Sequence, residues 1–462
     1  MSVHPITIPT PNFAPTLLSH RTRTNHSLTR VTPAIFRRYF PVTLLRKSNW
    51  AAVGSSSIST IGYPEYDRLF PSRSTDLPPR VEHLVVLEES RVCDYISRTL
   101  DLPPLYVADL IRFGAVHYAL VHPDPPATAT LEEVKVYKKF TSRGFLRNRQ
   151  SIIGKTIREA QKTFRITHTD EMVEVGTYLR VYVHPRRFPR CYEVDWKSRI
   201  VADTESYVVL DKPAGTSVGG TSNNIEETCV NFAARALGLS SPLFTTHQID
   251  NCTEGCVVLA KTEDFCSVFH WMIREKMVKK LYLAFAAAPV SCGVITHYMR
   301  PAKLAPRIVS EEYMEGWQLC QLEVLECNKV PWPTPDIEAK YKIEDCGWPE
   351  KKFAYECKIN LLTGRTHQGY GQIRAQLASC GAPLIGDSMY MPATREALSD
   401  PRVNPFGKQK RRYASENDKR NAIEKWISLH GKEPSIAVGL QACQISWDND
   451  EHLYDAGLPW WR

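Results

Sequence analysis

The chain has 462 residues, of which 43% are apolar and 23% carry a charged side chain, so it is long enough for two or three packed domains. No stretch approaches the roughly 18 apolar residues of a membrane-spanning helix, and the 13 cysteines show neither paired CxxC motifs nor a regular spacing. These features argue against a membrane span, a secreted disulfide framework and a zinc site built on cysteines.

The first 64 residues hold almost the whole net charge of +8, because they contain six Arg, one Lys and no acidic residue. A start that is rich in Ser, Thr, Pro and Arg and lacks acids is typical of an organelle transit peptide. A disordered basic tail is the alternative. Since Arg and Lys are absent before Arg21, we expect the chloroplast rather than the mitochondrion as the destination.

Two helices and a strand are predicted between residues 82 and 121, with a break at Pro103 and a stop at Gly114. This order resembles the S-four-like RNA-binding module, which we assign to residues 82–187 with a closing strand at 173–183. A helical hairpin without any RNA role is the alternative. The apolar residues at helical spacing are Val92, Tyr95, Ile96, Leu100, Val107, Leu110 and Ile111.

A basic insertion interrupts this module at about residues 122–172. Between residues 138 and 165 it holds nine Lys or Arg against one acid, Glu159, with three phenylalanines interleaved. This composition favours contact with phosphates, since each bound cation releases condensed counterions, and a solvated charged face is the alternative. The residues that we predict to contact RNA are Lys138, Lys139, Arg143, Arg147, Arg149, Lys155 and Arg158.

The rest of the chain, residues 200–462, has the pattern of one mixed domain of short strands and helices, with a polar, basic insertion at about 392–435. A buried strand at 207–210 runs into a turn that contains Pro213 and Gly215. Because strands do not alternate regularly with helices, the pattern favours the α+β class over a doubly wound sheet.

An acid stands where a buried strand is about to begin. Asp250 precedes, after a short polar turn, the apolar run at 256–260. A carboxylate there is costly to bury unless a cation or several hydrogen bonds stabilise its charged form. Candidate partners are Arg365, His367 and Arg374, of which Arg374 precedes an apolar helical pattern. An Asp that caps the turn and a purely structural ion pair are the alternatives.

Four blocks of sequence carry a family resemblance. They are VVLDKPAG at 208–215, HQIDNCTEGCVVLAKT at 247–262, KKLYLAF at 279–285, and TGRTHQ followed by IRAQLASCGAPLIGDSMYM between 363 and 391. In order and spacing these blocks resemble the motifs of the RluA-type RNA pseudouridine synthase family. The resemblance implies a catalytic core built on a bent, mixed, mainly antiparallel sheet, with flanking helices and a central cleft.

The resemblance also implies an activity, in which the bond between uracil and ribose is broken and the base rotates and rejoins the sugar through carbon 5. Asp250 matches the catalytic aspartate of the family. Tyr282 matches the tyrosine that stacks on the base and is proposed to help remove the carbon 5 proton, and Arg374 matches the arginine that pairs with the aspartate. The expected substrate contacts are Gln248, His367, Arg365 and Lys212.

An isomerisation needs no cofactor and no metal, so none is expected. The expected partner is ribosomal or transfer RNA, between which the sequence does not choose, and we expect a monomer that does not associate with membranes.

The sequence departs from the family pattern at two places. Gln248 stands where the family has an arginine that fills the space left by the extruded base, so extrusion is expected to be weaker or to depend on another residue. Residues 369–372, GYGQ, are inserted ahead of Ile373 and are expected to shift Arg374 away from Asp250. The insertion ends in the same Gln that precedes it, which suggests alternative splicing. We therefore predict a more active isoform without it.

These departures leave a second reading open, a catalytically weakened or inactive RNA-binding protein that retains the synthase fold. Hydrolysis of glycosidic bonds is a third reading. It needs a second catalytic carboxylate about 5 to 10 Å from Asp250, and no motif offers one.

Overall fold

The computed structural model describes residues 80–125, 129, 131–301, 307–363, 371–399, 433, 434 and 436–462. The predicted transit peptide at 1–64 and most of the predicted insertion at 392–435 lie outside these residues. Among the described helices, none has the length and apolarity needed to cross a membrane.

The N-terminal part of the described chain builds a small unit of strands and helices. The elements are β1 (Val81–Val85), β2 (Ser90–Arg91), α1 (Val92–Leu100), α2 (Pro104–Arg112), β3 (Val116–Ala119), α3 (Leu131–Phe140), α4 (Arg143–Arg147), α5 (Ile157–Ala160), β4 (Phe164–Arg165), β5 (Met172–Val173) and β6 (Tyr178–Tyr182). Four of the strands form an antiparallel sheet in the order β1-β6-β3-β4, and the short strands β2 and β5 pair separately.

Helices α1 and α2 lie where the apolar spacing predicts them. Pro104 opens α2, where a missing N–H costs no hydrogen bond, and Gly114 turns the chain into β3 with a φ of 73°. Both helices pack on the apolar face of the sheet in one buried cluster. The single closing strand expected at 173–183 is wrong, because Gly176, with a φ of 85°, separates β5 from β6. The limits of the module and its RNA role stay predictions.

The remainder of the chain forms a large sheet with flanking helices. Its elements are β7 (Ile200–Asp203), β8 (Tyr207–Lys212), α6 (Cys229–Ala236), β9 (Phe244–Thr245), β10 (Glu254–Ala260), α7 (Glu263–Arg274), β11 (Lys279–Ala286), β12 (Gly293–Met299), β13 (Val309–Ser310), β14 (Gln318–Pro331), α8 (Pro335–Lys340), β15 (Phe353–Leu361), α9 (Gln372–Ser379), α10 (Met391–Ser399), β16 (Leu440–Trp447) and β17 (His452–Asp455).

This sheet has 11 strands in the order β13-β12-β14-β15-β11-β16-β10-β8-β7, with β17 on β16 and β9 on β10. Its pairs are antiparallel except for β10 and β16, which run parallel, so the predicted α+β class with a mixed, mainly antiparallel sheet is confirmed. Every residue of β8 and β10 is buried. Lys212 ends β8, and Asp250 lies shortly before the start of β10.

A buried ion pair connects the small unit to the large sheet. Arg187 binds both carboxylate oxygens of Glu227, at 2.9 and 3.0 Å from Nε, and its guanidinium stacks on Phe113 of the small unit at 4.8 Å. The N–H of Phe188 donates to the same carboxylate at 2.6 Å, and that of Ile225 donates to Phe113 O at 2.8 Å. These contacts fix the position of the small unit relative to the sheet.

Candidate active site

Asp250 lies in the loop that leads into β10, as expected from the sequence. The loop is shaped by backbone hydrogen bonds, because Thr253 N donates to Asp250 O at 3.0 Å and Gly215 N donates to Asn251 O at 2.8 Å. Gly255 lets β10 approach β16 closely, since a Cβ at its φ of 110° would overlap the backbone of Ala442. The start of β10 is therefore held by the hydrogen bonds of the Asp250 loop and by its close approach to β16.

Lys212 supports this loop from inside the protein. Its Nζ donates to three backbone carbonyls, of Pro213 at 3.1 Å, Asn251 at 3.2 Å and Thr253 at 2.7 Å. The side chain is completely buried, and burial lowers the pKa of its ammonium group. The prediction that Lys212 contacts the substrate is wrong, because its buried ammonium group is occupied by these carbonyls and supports the Asp250 loop.

Arg374 brings together residues that lie far apart in the sequence. It is the third residue of α9, which begins after Gly371 in a left-handed conformation with a φ of 69°. Its Nη1 donates to Asp250 Oδ2 at 3.2 Å, which is the predicted ion pair. Burial opposes a charge here, but Asp387 foremost and Asp250 as well raise the pKa of Arg374 above its ordinary value.

Asp387 holds this arginine in place. Its two oxygens accept from Arg374 Nε at 2.8 Å and from Nη2 at 2.9 Å, and Oδ1 also accepts from the N–H groups of Met389 and Tyr390 at 3.2 Å. The carboxylate is fully buried. Sequence reasoning missed its role, although Asp387 stands in the quoted block that ends at 391, where an acid after Gly386 was the available signal.

Tyr282 lies on β11, in the apolar cluster that also holds Ile249, Ile373 and Leu377. Burial raises the pKa of its hydroxyl, and the nearby charge of Asp250 raises it further. The phenol therefore keeps its proton at neutral pH.

Of the remaining predicted substrate contacts, the structure describes Gln248 only. Gln248 is half-buried and directed toward Gly219, since its Nε2 lies 3.6 Å from the position that a Cβ on Gly219 would take. Arg365 and His367 lie outside the described residues.

The expected displacement of Arg374 by the insertion is wrong, because the contact with Asp250 is formed. Of the four inserted residues the structure describes the last two, Gly371 and Gln372. Gln372 is built into the fold, since its Nε2 donates to Thr363 Oγ1 at 3.0 Å, Gln376 Oε1 at 2.9 Å and Gln321 O at 3.2 Å. The last inserted residue is thus also the first residue of α9.

Six of the seven predicted RNA-contact residues are exposed on the basic insertion, and one is not. Arg149 is buried, with Nε 3.2 Å from Glu174 Oε1, Nη2 3.2 Å from Thr177 Oγ1, and a further bond to Leu120 O. The prediction that Arg149 contacts RNA is wrong, because these partners occupy its guanidinium. The exposed residues are Lys138, Lys139, Arg143, Arg147, Lys155 and Arg158.

A third carboxyl group also lies at Arg374, and no motif points to it. Glu433 Oε2 is 3.4 Å from the same Nη1 that contacts Asp250. In the described part of the chain, no three His, Cys, Asp or Glu side chains are grouped so that they could hold a metal ion. The site thus combines the buried guanidinium of Arg374 with the carboxyl groups of Asp250, Asp387 and Glu433, and the charge of Asp250 acts on the phenol of Tyr282.

Comparisons with known proteins agree with this geometry. A family model described as RNA pseudouridylate synthase matches residues 206–379. The chain is 61% identical over 451 residues to RNA pseudouridine synthase 6, chloroplastic, of Arabidopsis thaliana, which covers 94% of this chain and 95% of that protein. It is 59% identical over 419 residues to the protein of that name in Oryza sativa subsp. japonica, with coverage of 89% and 87%. Both names agree with the predicted chloroplast destination. The chain therefore belongs to the RNA pseudouridylate synthase family, whose members isomerise uridine in RNA.

Proposed function

We propose that this protein isomerises specific uridines of organellar RNA, with Asp250 acting on the bond between uracil and ribose. The observation that carries this proposal is the Asp250 carboxylate, held 3.2 Å from Nη1 of a buried arginine. A guanidinium at that distance donates a charge-assisted hydrogen bond to the carboxylate and fixes its direction. The side chain of Asp250 is 12% exposed, so part of it remains accessible to a substrate.

The proposed reaction balances without any added group. The N1–C1′ bond breaks, a C5–C1′ bond forms, C5 loses a proton and N1 gains one, so the product is an isomer of the substrate. No electrons are exchanged with a cofactor. In this proposal Asp250 acts at the sugar, and Tyr282 stacks on the base.

The target base has to leave the RNA stack to reach Asp250, at a cost of about a few kcal/mol. We assign to Gln248, two residues ahead of Asp250, the task of entering the vacated space as a hydrogen-bond donor. Arg365 and His367 contact the extruded nucleotide. The six exposed cations of the basic insertion bind phosphates on either side, which positions the RNA without reading its sequence.

Two features support an organellar RNA as the substrate. The first is the transit-like composition of residues 1–64, and the second is the word chloroplastic in the names of both close relatives. We propose ribosomal or transfer RNA as the substrate and a monomer as the active form. The alternative of an inactive RNA-binding protein loses one of its two supports, because the insertion leaves the contact between Arg374 and Asp250 in place.

The proposal is tested by mapping pseudouridines across plastid and mitochondrial RNA in a plant line that lacks this protein. We expect one or a few sites to lose the modification and to regain it when the full-length chain is restored. Maps that are identical with and without the protein would refute the proposed function.

A further inference from the structure

Among the residues that the structure describes, three carboxyl groups contact the guanidinium of Arg374, and they differ in exposure. Asp387 uses both oxygens on Nε and Nη2 and is fully buried. Asp250 and Glu433 share Nη1, at 3.2 and 3.4 Å. The side chain of Glu433 is 38% exposed, so it is the most exposed of the three.

The proposed reaction has one proton transfer for which the site needs an acceptor. After C5 has bonded to C1′, the proton on C5 must leave, and its electron pair restores the C5=C6 double bond while N1 takes up a proton. Asp250 acts at the sugar in this scheme. Tyr282 is a poor acceptor, because burial raises the pKa of its hydroxyl and a neutral phenol is a weak base.

We infer that Glu433 is the base that removes the C5 proton, which makes it a further catalytic residue; this inference rests on the proposed function. C5 takes the place of N1 beside C1′, so the departing proton lies on the side of the base where Asp250 acts. Glu433 is next to that position, because its oxygen and that of Asp250 contact the same nitrogen atom. A carboxylate at this place accepts the proton and releases it to the open side of the cleft.

The electrostatic surroundings suit this role. Burial raises the pKa of Glu433 above its ordinary value, Arg374 opposes that effect, Asp250 and Asp387 add to it, and Arg186 opposes it. A carboxylate with a raised pKa is a stronger base than an exposed one.

The test uses RNA that carries deuterium at C5 of the target uridine, with the full-length chain and its Glu433→Gln variant. Gln keeps the size of the side chain and an oxygen toward Arg374 but cannot accept the proton. We expect single-turnover pseudouridine formation to fall by about 100-fold or more and to show a larger deuterium isotope effect than the wild type. The matched control is Glu193→Gln, because Glu193 is exposed and lies outside the site.

A second variant guards against a purely structural effect. Glu433→Ala should regain activity when formate is added, because formate can replace the missing carboxylate. Wild-type rates in Glu433→Gln, or slower turnover without a larger isotope effect and without rescue by formate, would overturn the inference. If the wild type itself forms no pseudouridine on any organellar RNA, the proposed function fails and this inference fails with it. An active wild type with an equally active variant overturns the inference alone.

Discussion

Arg374 binds Asp387 through Nε and Nη2, at 2.8 and 2.9 Å, and this leaves Nη1 as the donor to Asp250 and Glu433. The pairing is bidentate, so it fixes the plane of the guanidinium as well as its position. The N–H groups of Met389 and Tyr390 hold Asp387 in turn. The direction of the contact with Asp250 is therefore set by a residue that no reacting atom touches.

The first prediction concerns this support. Asp387→Asn removes the charge and one acceptor, so Arg374 is no longer held flat and Nη1 turns away from Asp250. We expect single-turnover pseudouridine formation to fall by about 10- to 100-fold with unchanged RNA affinity, since support of this kind is typically worth that much. The free energy of unfolding should fall by about 3 kcal/mol, because a buried charge loses its partner.

The control for this variant is an ion pair at the surface. Lys351 Nζ lies 2.8 Å from Asp345 Oδ1, and both side chains are exposed. Asp345→Asn should change the free energy of unfolding by less than about 1 kcal/mol. If Asp387→Asn changes neither the rate of pseudouridine formation nor the free energy of unfolding more than Asp345→Asn does, then Asp387 does not hold Arg374 in place.

The second prediction separates exposed from buried basic residues in the basic insertion. Lys155 and Arg158 are exposed, so replacing both with Ala should weaken RNA binding and lower the slope of log Kd against log salt by about one per phosphate contact, without changing thermal stability. Arg149→Ala leaves Glu174 and Leu120 O without their buried donor, so it should lower the melting temperature. RNA titrations at several salt concentrations measure the first effect, and thermal unfolding measures the second. A lower melting temperature in the double variant, or an unchanged one in Arg149→Ala, would contradict the separation of exposed from buried cations.

The third prediction concerns Glu254, a buried acid at the start of β10. Trp460 N donates to its Oε1 at 2.9 Å. Burial raises the pKa of Glu254 to about 7; the Trp460 bond opposes this, Asp211 adds to it, and Arg199 and Lys212 oppose it. Folding therefore favours the protonated form, so this group contributes stability below its unfolded pKa near 4.5 that is lost as the pH rises through about 7.

Glu254→Gln cannot ionise but can still accept from Trp460. We expect it to be more stable than the wild type at pH 8, by up to about 3 kcal/mol, and equal to it near pH 4. Chemical unfolding at the two pH values measures the difference. A variant that is destabilised equally at both would show that Glu254 is charged in the folded state.

The fourth prediction concerns the insertion. Deleting residues 369–372 leaves Gln368 directly ahead of Ile373, in the place that Gln372 now occupies. Since the contact between Arg374 and Asp250 is formed with the insertion present, we now expect the two forms to turn over at rates within about two-fold of each other. The shorter form should gain roughly half a kcal/mol in the free energy of unfolding, because a shorter connection between β15 and α9 costs less entropy to close. The two purified forms are compared on the same RNA and by chemical unfolding, and a much faster or less stable shorter form would contradict the prediction.

The pairing of Asp250 with Arg374 could be predicted from sequence because both residues stand in motifs whose order and spacing are specific. Their supports could not. Lys212 directly precedes the predicted turn at Pro213, and its burial follows only from the pairing of β8 with β10. Glu433 stands in a polar stretch without periodicity, so only the folded chain shows that it meets Arg374.

Two details of the small unit could not be predicted from composition. Arg149 is one of nine cations between 138 and 165, and composition does not reveal which of them points inward. The helices were predictable because apolar residues at a spacing of 3.6 must share a face, whereas the division of the last strand follows from the left-handed backbone of Gly176 and from the separate partners of β5 and β6.

The central claim is that Asp250, held by Arg374, breaks the bond between sugar and base. It is tested most directly by single-turnover pseudouridine formation with Asp250→Asn, beside Asp264→Asn as a matched change at an exposed site. We predict that Asp250→Asn binds RNA with wild-type affinity and forms product more than about 100-fold more slowly, while Asp264→Asn retains the wild-type rate. Wild-type rates from Asp250→Asn would contradict the account.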